Sequence, residues 1–72
     1  MEVQQTAFPL PTKKDKQIIT MLKNGMNGEE VADKIGVNKN TFAFSLKVLR
    51  SKYQCKNTVQ LVAFFIENNL ID

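Results

Sequence analysis

The residues of this chain that can do chemistry are cations, and they gather in one stretch. From Lys34 to Ile66 there is no Asp or Glu, while Lys34, Lys39, Lys47, Arg50, Lys52 and Lys56 all fall within it. Ammonium and guanidinium groups strung along one helix are the electrostatic footprint of a binder of a phosphate-bearing polymer. Each phosphate they neutralise releases a counterion, which favours binding. A solvated helix face is the plainer reading of the same residues. The overall balance is mild, a net charge of +3 with a pI near 9.2, so the distribution carries the signal and the total does not. Other chemistries lack their residues. There is no histidine to act as base or metal ligand. There is also no nucleophile elbow and no Gly-rich phosphate loop, so no enzyme activity, no cofactor and no metal site is expected. Cys55 is the single cysteine; it cannot form an internal disulfide and reads as a small core residue.

Positioning these cations is the task of the stretch from Gly25 to Tyr53, GMNGEEVADKIGVNKNTFAFSLKVLRSKY. Asn27 with Glu30 three residues on has the form of a capping box, and Gly36 closes a helix of about two turns. Asn38 then opens a longer helix, expected from about Lys39 to Tyr53. A short helix, a Gly turn with Val37 at the corner, and a second helix make a helix-turn-helix unit, whose second helix such folds lay in the major groove of DNA. Phe42, Leu46, Leu49 and Tyr53 recur at steps of four, three and four, so they share an inward face. Outward positions are then Lys39, Asn40, Ala43, Phe44, Lys47, Arg50, Ser51 and Gln54.

Upstream, residues 1–11 show no periodicity and carry two prolines; they read as a flexible arm whose Phe8 and Leu10 can tuck onto the domain. Thr12 through Asp15 has the cap form T-x-x-D, and Ile18, Ile19, Met21 and Leu22 give the first helix an apolar stripe ended by Gly25. The second helix, about Gly28 to Ile35, buries Val31, Ala32 and Ile35. Asn57 with Gln60 starts a fourth helix reaching about Asn68, with Leu61, Val62 and Phe65 inside and Leu70 and Ile71 closing the end. At 72 residues the chain is one all-α, four-helix domain, residues 12–72, with a core small enough to be marginally stable. No apolar run approaches the roughly 20 residues of a membrane span, and a signal-peptide pattern is missing at the N-terminus, so a cytoplasmic location is expected.

The chain resembles the LuxR/GerE-type DNA-binding domain of bacterial transcription regulators over roughly residues 11–71. The resemblance rests on Thr12-x-Lys14-Asp15 against T-x-R-E, on Ile18-Ile19 followed by Gly25, and on Glu30-Val31-Ala32 with Ile35-Gly36-Val37 against E-I-A and L-G-I. It continues through Thr41-Phe42, Lys52-Tyr53, Asn57-Thr58, Leu61-Val62 and Leu70-Ile71. A chain of this length is similar to the stand-alone GerE type. Three positions depart from the pattern. Ala43 stands where the family's T-V-K-x-H has a lysine that reaches base edges, Asn27-Gly28-Glu29-Glu30 replaces S-N-K-E, and Thr58 replaces a common arginine.

The resemblance implies double-stranded DNA as partner, with Ala43, Phe44 and Lys47 at the base edges. Lys39, Asn40, Thr41, Arg50, Ser51 and Lys56 would then lie at phosphates. It also implies a weak homodimer through the fourth helix, with Val59, Ala63, Phe64 and Glu67 at the contact and Phe64 as the anchor. In the plainer reading Phe64 and Ile66 only complete the core. Phe44, an aromatic on the outer face of a basic helix, has three readings: packing on thymine methyls, a protein interface, or folding against the arm. RNA polymerase or another regulator is a further candidate partner. The rival function is a protein-binding adaptor or antagonist built on the same scaffold.

Overall fold

A computed structural model describes residues 8–71; most of the expected flexible arm, residues 1–7, and Asp72 lie outside them. The fold is all-α, in the order α1 Lys13–Lys23, α2 Gly28–Ile35, α3 Lys39–Lys52 and α4 Thr58–Glu67. No helix among the described residues is long and apolar enough to cross a membrane.

Each helix begins where a side chain can accept an otherwise orphaned backbone N–H. Thr12 and Asp15 form a reciprocal capping box for α1, and Asn27 and Glu30 form one for α2. Asn38 caps α3 by accepting from the Thr41 amide at 2.8 Å. Asn57 caps α4 by accepting from the Gln60 amide, but Gln60 accepts from the amide of Lys56, one residue before the cap. The helices also stop in one way. Gly25, Gly36, Gln54 and Asn69 take positive φ, and the residue after each donates back across the last turn: Met26 to Met21, Val37 to Ala32, Cys55 to Arg50 and Leu70 to Phe65. These are Schellman closures. Two of them use a residue other than glycine, which costs about 1 kcal/mol or more apiece in the left-handed region.

Two apolar clusters hold the helices together. Ile18, Val31, Ala32 and Phe42 join α1, α2 and α3. Ile19, Leu49, Tyr53, Leu61 and Phe65 join α1, α3 and α4. Leu22 and Leu46 are half-buried and pack against both. The inward face read from the four-three-four spacing of α3 is therefore real, and it spans both clusters. The aromatic end of the second cluster extends to the arm: the Phe8 ring meets Phe64 edge-on at 4.9 Å and Tyr53 at 6.2 Å. Lys52 ties the end of α3 to the start of α1 through Asp15, Nζ to oxygen 3.3 Å.

Tyr53 is buried within this aromatic group, and its hydroxyl has no hydrogen-bond partner among the described residues. Burial first, and then the Asp15 carboxylate, raise the phenol above its ordinary value. The folded chain therefore holds this proton to higher pH than the unfolded chain does. Stability is undiminished below the usual tyrosine range, near pH 10, and falls as pH rises through the folded value. An unpaired buried hydroxyl is also a cost at neutral pH. Tyr53→Phe is accordingly expected to be at least as stable as the native chain at pH 7 in urea unfolding. It should lose less stability than the native chain between about pH 9 and 11. A clear drop at pH 7 would mean that the hydroxyl is paired in solution.

Candidate nucleic-acid interface

At about 100° per residue, the position opposite the centre of the buried face of α3 is occupied by Phe44. Asn40, Lys47, Val48 and Ser51 surround it, and all are exposed. Lys39, Thr41 and Ala43, expected near DNA, are exposed as well, and so is Lys56 at the turn before α4. Arg50 is half-buried at the edge of this face. Ala43, Phe44 and Lys47 therefore share the outward side of one helix whose inward side is locked at both ends. The helix has no acid anywhere, and Arg50 and Lys52 occupy its last turn.

The cations are not equivalent. Lys39 pairs with Glu29 across the α2–α3 corner at 3.6 Å, with both side chains well exposed. Lys52 is engaged by Asp15 and lies 5.7 Å from the Tyr53 ring centre. Lys47, Arg50 and Lys56 have no ion-pair partner among the described residues. Exposed pairs such as Lys39–Glu29 are worth little in themselves, yet Glu29 sets a negative charge beside a lysine expected to reach phosphate. Cys55 is half-buried, its thiol directed at the Tyr53 carbonyl, and burial raises its pKa. It is a packing residue, kept in its unreactive form.

One outward residue does not stand out from the sequence alone. Val48 was not counted among the outward residues, yet it is 48% exposed and lies one turn from Phe44, itself 68% exposed. The i, i+4 spacing of the two was the available signal. Of the two readings open for Phe64, the structure favours the plainer one: it is half-buried, its ring packed by Phe8, Tyr53 and Phe65. Ala63 is half-buried too. What α4 leaves uncovered is Val59 at 79% and Ile66 at 46%, with Glu67 exposed beside them. Of the readings open for Phe44, folding against the arm is not what Phe8 does, since Phe8 goes to Tyr53 and Phe64.

A short α2, a left-handed corner at Gly36 and an α3 braced from behind with its outer face open define a helix-turn-helix DNA-binding domain. Residues 11–65 match the GerE family, described as bacterial regulatory proteins of the luxR family, and the chain belongs to that family. It is a family of DNA-binding regulators and not of enzymes. Comparison with curated proteins and with solved structures gives no match.

The Glu29–Lys39 pair can be tested directly. Glu29→Gln removes the acid and frees Lys39. Affinity for arbitrary duplex should rise severalfold at low salt, and the slope of log affinity against log salt should steepen by about one. Unchanged affinity and slope would place the α2–α3 corner away from DNA.

Proposed function

We propose that this chain regulates transcription by laying α3 in the major groove of duplex DNA, as one half of a weak dimer formed through α4. The observation that carries the reading is the outer face of α3. It is free of acids, it bears Asn40, Lys47 and Ser51 around its crest, and it is held rigidly by the Phe42–Tyr53 face behind it. Lys47, one turn beyond Ala43, is placed to donate to guanine O6 or N7. Lys39, Asn40, Thr41, Arg50, Ser51 and Lys56 flank it and serve phosphates, which position the protein without specifying sequence.

The dimer reading rests on α4. Val59, Ala63 and Ile66 follow at steps of four and three, a seam of the kind that pairs helices. Because Phe64 is partly covered by Phe8, Val59 and Ile66 take over as anchors, with Glu67 at the rim. Such a seam is small, so the dimer is weak in solution and strengthened when two half-sites about 34 Å apart hold both copies. The adaptor reading draws support from Ala43 and from the apolar Phe44 and Val48. Duplex binding separates the two.

Binding to mixed-sequence duplex is expected to fall about tenfold or more between low and physiological salt. Lys47→Ala should cost roughly 1–3 kcal/mol at preferred sites and relax preference there. Lys39→Ala should weaken all sequences alike, and should lower the salt slope by about one once Glu29→Gln has freed that lysine. Fluorescence titration checks each; no binding to any duplex at low salt would leave the adaptor reading in possession.

For assembly, Ile66→Glu should remain folded, sediment as a monomer at all concentrations and bind a two-half-site duplex much more weakly. A native chain that is monomeric both free and on DNA would exclude the α4 contact.

A further inference from the structure

Phe44 and Val48 form an apolar ridge at the most outward part of a basic helix, and nothing among the described residues covers it. The arm's Phe8 is engaged elsewhere, on Tyr53 and Phe64. The residues beside the ridge, Asn40, Lys47 and Ser51, are polar or cationic, and no acid lies on the helix. These three lie on one flank, and the other, beside Val48, holds Ser45 and the Lys52–Asp15 pair; a partner that fits therefore offers an apolar feature with negative charge on the Lys47 side. The major groove does this wherever a pyrimidine carries a 5-methyl group, because the methyl projects between two phosphate walls. The two side chains stand about 6 Å apart along the helix axis, close to two base-pair steps of about 3.4 Å.

We infer that the Phe44–Val48 ridge reads the 5-methyl groups of pyrimidines on neighbouring base pairs. Ala43, exposed beside Phe44, is small and leaves the ridge open to such an approach. Sequence preference is then set by methyl placement as well as by hydrogen bonds from Lys47. Thymine and 5-methylcytosine present the same group in the same place, so the site takes either. This inference rests on the reading of α3 as the helix that enters the groove.

The test uses four alternating duplexes that differ pairwise by the methyl alone: dA-dT against dA-dU, and dG with 5-methyl-dC against dG-dC. Titrated at low salt, the native chain should bind the methylated member of a pair about fourfold tighter or more, the worth of burying one methyl-sized group. A gap in the first pair alone assigns thymine, a gap in the second alone assigns 5-methylcytosine, and a gap in both assigns the methyl whatever its base. Phe44→Ala, at an exposed position and so expected to fold normally, should bring the ratio close to one, whatever it does to affinity for the unmethylated member, and Val48→Ala should narrow it. Equal affinity of the native chain within both pairs would overturn the methyl reading and leave duplex binding intact. A ratio that survives Phe44→Ala would overturn the ridge's role in it. Failure to bind any of the four would overturn both readings and leave the ridge to a protein partner.

Discussion

The inner face of α3 is the constraint on which the other features depend. Phe42 is buried among α1 and α2, Leu49 and Tyr53 are buried among α1 and α4, and Leu46 bridges the two groups. A helix held at both ends cannot roll about its axis. Its outward residues, Asn40, Phe44, Lys47 and Ser51, thus keep fixed directions, and groove reading needs that fixity because base edges are recognised by placement within a fraction of an ångström. Asp15 supplements the apolar lock by gripping Lys52 at the far end of the helix. The cost of the arrangement appears at Tyr53, where packing has left a hydroxyl without a partner among the described residues.

Charge is distributed with restraint. Two cations of the basic stretch, Lys39 and Lys52, face acids supplied by earlier elements, whereas Lys34 on α2 and Lys47, Arg50 and Lys56 have no acid partner among the described residues. The non-specific attraction to DNA is weaker than the count of basic residues suggests. What remains is concentrated where α3 would meet the groove, beside an apolar ridge instead of a second lysine. Such a surface gives up general affinity, which any DNA would satisfy, in favour of contacts that depend on the bases.

Local features were legible in the sequence, and long-range ones were not. All four N-caps, Thr12, Asn27, Asn38 and Asn57, act within three residues of themselves, so their types and spacing sufficed. The buried face of α3 followed from periodicity for the same reason. The closure at Gln54 leaves no mark of its own in the sequence, whereas Asn69 is of a type that takes the left-handed region readily and so carries a weak one. The placement of Phe64 stayed open between a dimer contact and the core because its neighbour, Phe8, is more than fifty residues away, and helical periodicity is blind to what an arm brings. At the interface, the open cations could be placed on the helix from the sequence, but their pairing with Glu29 and Asp15 required the packing of α3 against the helices before it.

Amide chemical-shift mapping with a mixed-sequence duplex tests the central claim most directly, since it reports which backbone segments approach DNA. At low salt the amides of residues 39–48 and of Lys56 should shift and return towards their free positions as salt is raised. Those of the buried face of α3 should move less, and those on the outward side of α1 should not move. Shifts confined to α1 or to α4, with residues 39–48 unmoved, would contradict the assignment of the outer face of α3 as the surface that meets DNA.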